Sequence, residues 1–155
     1  MPVQHATFSI SRVYKAAPIK VFDAFADPVK KRRWFAEGDG FEVREHALDF
    51  RVGGVETTRF ATPAASPLKG AELRNDTTYF DISPAARIVL AYSMSVAGRC
   101  ISVSLATFEF NPDGAGTAFT FTEQAAFFEG SDGPAIREDG WRHLLDRLTA
   151  EVDHV

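Results

Sequence analysis

The stretch TAFTFTEQAAFFEGSDGPAIREDGWRHLLDRLTAEV, residues 117–152, changes period halfway, and that change decides the fold. In TAFTFTEQA (117–125), Phe119, Phe121 and Glu123 share one side of a strand. GSDGP (130–134) then supplies cap residues and a proline suited to a helix start. Beyond it Ile136, Trp141, Leu144, Leu145, Leu148 and Val152 recur at intervals of three and four. Arg137, Glu138, Asp139, Arg142, Asp146 and Arg147 fall between them. This predicts a long amphipathic helix, with Glu138 and Arg142 as an i,i+4 pair. The cheapest burial for a strand's apolar face and a helix's apolar stripe is against each other.

Working back from residue 117, the signals are almost all strand. CISVSLATFEF (100–110), ARIVLAYSMSV (86–96), ELRNDTTYFDI (72–82), VETTRFA, DFRVGG and FEVREHAL are candidates. Asn111-Pro112-Asp113-Gly114, Ala97-Gly98-Arg99 and Ser83-Pro84 mark turns, and TPAASPLKG reads as an exposed loop. Short connections between neighbours imply an antiparallel meander. ATFSISRVY (6–14) adds a first strand, with Phe8, Ile10 and Arg12 on one side and Ser9, Ser11 and Val13 on the other. Ala17-Pro18 then starts a short helix carrying Val21, Phe22 and Phe25, and Asp27-Pro28 stops it. Residues 28–35 form a second. The expected fold is α+β: a curved antiparallel sheet of about six or seven strands wrapped around a long C-terminal helix. Two short helices follow the first strand. Such a sheet can leave a cavity against the helix. No repeat or linker divides the chain, so residues 1–155 are expected to form one domain.

Composition limits the function. The 155 residues are 45% hydrophobic and 25% charged, ordinary globular values. The net charge of −4 argues against a general grip on nucleic acid. A single cysteine, Cys100, excludes an internal disulfide and any multi-cysteine zinc site. No apolar run is long enough to cross a bilayer, and MPVQHATFSISRVYK has no secretory pattern, so a cytoplasmic protein without membrane contact is expected. Phenylalanine dominates the aromatics, 14 against three tyrosines and two tryptophans, which fits an apolar cavity lining or a solid core.

Candidate chemistry is sparse. His5, His46, His143 and His154 show no ligand spacing, so no metal and no cofactor is expected, and each is read as surface or structural. Cys100 reads as a small filler. Ser102 and Ser104 share parity with Phe108 and Phe110. Either a bulge near Thr107 shifts the register and the serines face out, with Ile101, Val103 and Leu105 inward, or the serines enter a cavity. Glu123 shares parity with Phe119 and Phe121, so its carboxyl should be paired or have a raised pKa. It reads as a ligand anchor or general base, or as a strand-end residue on a basic partner. Asp81, near Tyr79, is a similar case. Tyr79, Tyr92 and Trp141 could give polar tips to an apolar pocket, with Trp34 and Met94 completing the candidate lining; core packing is the alternative. Lys30–Arg33 reads as a solvated face. Gly53-Gly54 reads as a bulge that bends the sheet.

Several local sequences carry a resemblance. They are Arg12 with Ala17-Pro18, Val21-Phe22, Asp27-Pro28, Trp34-Phe35, Asp49-Phe50-Arg51-Val52-Gly53-Gly54, and Tyr79-Phe80-Asp81-Ile82. ISVSLATFEF (101–110), Phe121-Thr122-Glu123-Gln124, and Gly140-Trp141 before Leu145 and Leu148 complete the set. In this order they resemble the helix-grip superfamily of START domains, plant Bet v 1-like proteins and polyketide cyclases. Within it they resemble the bacterial proteins related to the C-terminal domain of the activator of Hsp90 ATPase. The resemblance implies a scaffold with varied pockets rather than one activity. No counterpart of the co-chaperone's separate N-terminal domain is expected, and its Hsp90 activity is not expected to carry over. A small hydrophobic ligand in the cavity is the first functional expectation. A cyclase- or aromatase-like enzyme, with Glu123 or Asp81 as base and a tyrosine as proton donor, is the second. A stress-related or chaperone-associated partner is the third, and the sheet also offers an edge or face for a homodimer.

Overall fold

The computed structural model describes residues 2–38 and 40–153; His154 lies outside them. Strand β1 (Gln4–Tyr14) is followed by helices α1 (Pro18–Ala26) and α2 (Pro28–Lys31), the latter continuing into a π-helical turn, Arg32–Ala36. Six strands follow: β2 (Glu42–Leu48), β3 (Val55–Ala61), β4 (Glu72–Ser83), β5 (Arg87–Val96), β6 (Arg99–Asp113) and β7 (Gly116–Phe127). Helix α3 (Pro134–Val152) closes the chain. The strands form one sheet in the order β1-β7-β6-β5-β4-β3-β2, each neighbour antiparallel. The helical excursion after β1 thus carries the chain from one sheet edge to the other, and the meander brings it back.

Local chemistry explains the breaks. Asp27 ends α1, and its carboxylate accepts from the N–H groups of Val29 (2.9 Å) and Lys30 (3.2 Å), capping α2. DFRVGG is a tight connection rather than a strand: Gly54 N–H bonds Arg51 O at 2.7 Å. A Cβ on Gly54 would stand 2.1 Å from Asp49 O, so only glycine fits. Strand β6 runs through Pro112 to Asp113, so the turn falls later than Asn111 predicts. His5 lies within β1, opposite Ala126.

Bulges set which side chains face the helix. The β5–β6 register shifts between Met94 and Ser95, making Ile101 the extra residue. Beyond it the alternation is unbroken: Ser102, Ser104, Ala106, Phe108 and Phe110 face inward while Val103 and Leu105 are exposed, and the bulge lets Ile101 be buried beside Ser102. Inward Val103 and Leu105 are therefore corrected, and no bulge near Thr107 is needed. A second shift, between Tyr79 and Asp81, makes Phe80 the extra residue and turns Asp81 to the outer face.

At the α1 end of the sheet the core is solid and aromatic. Phe108 stacks on Phe121 at 4.9 Å between ring centroids, and Phe25 meets both Phe108 and Trp34 at 5.0 Å. Leu145 and Leu148 of α3 are fully buried against this cluster. Two residues break the expected helix stripe: Ile136 is exposed and Arg137 is buried.

Candidate functional site

At the other end of α3, helix and sheet part to leave a cavity of about 400 Å³. Phe60 of β3, Leu73 and Asn75 of β4, and Tyr92 and Met94 of β5 form its sheet wall. Phe35 and Ala36 of the π-helical turn form one end; π-turns insert an extra residue and often mark functional positions. The helix wall includes Arg137, Trp141 and Leu144, with Ile136, Gly140, His143 and Arg147 at the mouth. The volume lies within the roughly 300–1,000 Å³ of small-molecule sites.

Gly140 has an unusual place. It sits inside the longest helix, where glycine costs about 1 kcal/mol against alanine. A Cβ built on it meets nothing within 4 Å. Ile136, His143 and Leu144, three or four residues away, all line the cavity, so a side chain at 140 would project among them. Leaving it out keeps the space open.

Behind Tyr92 and Trp141 lies a buried polar cluster. The Tyr92 hydroxyl donates to Glu123 Oε1, and Trp141 Nε1 lies 3.2 Å from both oxygens. Arg137 Nη1 donates to Tyr92 Oη at 3.2 Å, and its Nη2 to Ser102 Oγ at 2.8 Å. Its firmest partner is Asp132, gripped by Nε (2.8 Å) and Nη2 (2.9 Å). Arg137 Nη1 stays 3.9 Å from Glu123 Oε2, which is buried without a hydrogen bond, as is Ser104 Oγ. Burial raises the Glu123 carboxyl above its ordinary value of 4.5, outweighing the hydrogen bond from Tyr92, the charge of Arg137 and the hydrogen bond from Trp141. A carboxyl raised by folding contributes stability that is present below 4.5 and lost as pH rises through the folded value. Glu123→Gln is therefore expected to flatten the pH dependence of stability above pH 4.5, with the variant gaining on the wild type as pH rises. Urea unfolding midpoints between pH 4 and 8 check this; parallel curves would contradict it.

A second buried cluster lies under the sheet's other half. Lys31 Nζ donates to Glu56 Oε1 at 3.0 Å, the two side chains only 5% and 2% exposed. Tyr79 O–H donates to the same oxygen at 2.6 Å, and His46 Nε2 lies 2.8 Å from Oε2. The Lys31 ammonium also lies 4.5 Å from the Phe35 ring centre. Burial alone would raise the Glu56 carboxyl. The Lys31 charge and the hydrogen bonds from His46, Tyr79 and Lys31 prevail and hold it at about 2. A solvated face across Lys30–Arg33 is thus corrected at Lys31. Its neighbours are surface ion pairs: Lys30–Asp23, Arg32–Glu37 and Arg33–Glu151.

Of the twelve candidate lining residues, the structure brings Tyr92, Met94 and Trp141 to the cavity wall. Trp34 is buried below, its Nε1 bonded to Ala24 O at 2.8 Å. Tyr79 serves Glu56, and Phe108, Phe119 and Phe121 fill the solid core. Ser102, Ser104 and Glu123 face inward but stay behind the wall. Asp81 is corrected outright: the bulge at Phe80 sends it outward, where it pairs with Arg87 at 2.6 Å. Asn75, Glu56, Asp132, Arg137 and Gly140 went unassigned. Glu56 had a signal, since it shares parity with Thr58 and Phe60 in VETTRFA. Arg137 also had one, since it stands four and eight residues before Trp141 and Leu145 and so shares the phase of their stripe.

Among the described residues no helix is long and apolar enough to cross a membrane. Comparison with known proteins adds kinship. Residues 15–153 match the family described as activator of Hsp90 ATPase homolog 1-like protein. The structure of the Mll3558 protein from Rhizobium loti is 46% identical, with a TM-score of 0.87 over 97% of this chain and 99% of that one. A Rhizobium leguminosarum protein is 36% identical, with a TM-score of 0.91 over 99% and 98%. An AHSA1-like protein from Aeromonas hydrophila shares the fold at 21% identity, with a TM-score of 0.66 over 95% and 92%. No curated protein matches the chain.

Proposed function

The chain belongs to the activator of Hsp90 ATPase homolog 1-like family, and on that footing we propose that it is a single-domain cytoplasmic protein that binds a small apolar or aromatic ligand between its sheet and α3. The observation that carries this reading is Gly140: a helical position keeps the worst non-proline helix former, and the cavity gains the space. The aromatic and aliphatic wall supports an apolar occupant, with few polar groups to orient it. Trp141 contributes both ring surface and a hydrogen bond that fixes Tyr92.

The test uses 1-aminoanthracene, an uncharged dye whose emission rises in apolar surroundings. Binding to the wild type is expected. Gly140→Leu, which fills the space, is expected to weaken it roughly tenfold or more. Gly140→Ala should raise stability by about 1 kcal/mol, because the added methyl is unobstructed. Equal dye binding by wild type and Gly140→Leu would place the site elsewhere.

A further inference from the structure

Resting on the cavity as the ligand site, its polar groups narrow the class of ligand. Asn75 is 7% exposed and lines both the cavity and a small void beneath it. Its Oδ1 accepts from Thr77 Oγ1 at 3.3 Å. Among the described residues the Asn75 side chain has this one hydrogen bond, through its oxygen, and the residue itself lines the cavity. The amide N–H therefore has no protein acceptor to surrender, and an acceptor arriving on this largely apolar wall can take it.

The remaining polar groups at this end are engaged. Arg137 is gripped by Asp132 and also donates to Ser102 and Tyr92. The Tyr92 hydroxyl donates to Glu123 and accepts from Arg137. A ligand carboxylate entering here would meet Asp132 with the guanidinium already matched, and a ligand ammonium would meet Arg137. We infer that the cavity selects an uncharged ring compound bearing one hydrogen-bond acceptor, a ketone or ester carbonyl. That carbonyl takes the Asn75 amide N–H, while the rings lie against Phe35, Phe60, Met94 and Trp141.

Three probes with one ring system test this by displacement of 1-aminoanthracene from the full chain: 2-acetylnaphthalene, 2-ethylnaphthalene and 2-naphthoate. The ketone is expected to bind roughly tenfold more tightly than the ethyl compound, and Asn75→Leu to erase that ratio while ethyl binding persists. In the unmutated protein the side-chain NH₂ resonance of Asn75 should move downfield with the ketone and not with the ethyl compound. This readout decides the matter even where Asn75→Leu fails to fold. Equal binding of ketone and ethyl compound with an unmoved resonance would overturn the inference while leaving the cavity as a ligand site. Tighter binding of 2-naphthoate, seated at the mouth near His143 and Arg147, would do the same. Failure of the dye and all three probes to bind would overturn both readings.

Discussion

Lys31→Met is expected to lose about 3–5 kcal/mol of stability at pH 7, read as a lower urea midpoint. The reason is what remains. Glu56 would keep a charge at 2% side-chain exposure, with only His46 and Tyr79 beside it. Small domains have about 5–15 kcal/mol in total, so the variant stands near the edge of folding. The direction with pH follows from Glu56. Its carboxyl is held at about 2 in the fold against an ordinary 4.5. A lowered carboxyl contributes stability that is full above 4.5 and lost as pH falls through about 2. The wild type should therefore weaken across that acid window, and Lys31→Met much less. Replacing both partners, as Lys31→Met with Glu56→Leu, should recover most of the loss, since an apolar pair leaves no stranded charge. A single-variant loss under about 1 kcal/mol is what an exposed pair would give, and it would refute the burial argument.

Phe108→Ala is expected to cost about 3–5 kcal/mol, while Phe80→Ala stays within about 0.5 kcal/mol. The two residues are identical in chemistry and opposite in setting. Phe108 is 1% exposed and touches the rings of Phe25, Phe119, Phe121 and Trp141. Phe80 is 59% exposed, lifted off the core by the bulge in β4. Removing the Phe108 ring empties a site between sheet and α3 that rigid neighbours cannot refill. Thermal unfolding of both variants checks the contrast, and similar losses would contradict the bulge-defined register.

The fold was legible because its signals are local. Proline positions marked the breaks between the short helices, alternation marked the strands, and three-and-four spacing marked α3. The candidate site was legible only where parity stayed regular. Tyr92, on a regular stretch of β5, and Trp141, on the stripe of α3, both line the cavity, and the raised Glu123 carboxyl follows from its parity with Phe121. Asp81 was misplaced because one extra residue, Phe80, reverses every facing beyond it. Lys31 looked like a solvent charge because its partner, Glu56, is brought to it by tertiary approach, and Arg137 because the turn that folds Asp132 back onto it from five residues away leaves no periodic mark. Gly140 was visible only as a family match, since an absent side chain has meaning only beside the space it leaves.

The pairing of β1 with β7 governs how the chain must be assembled. Ser9 and Thr122 share a hydrogen bond across 113 positions of sequence. During synthesis the first strand leaves the ribosome long before its strand partner β7 exists, and it waits as an unpaired edge. Until residues 116–127 appear, β6 also lacks a partner on that side. Closure of the sheet and docking of α3 therefore come together at the end of translation. The loop-closure entropy deferred until then makes folding slow for a domain of this size, and the growing chain is most prone to aggregate just before it is complete.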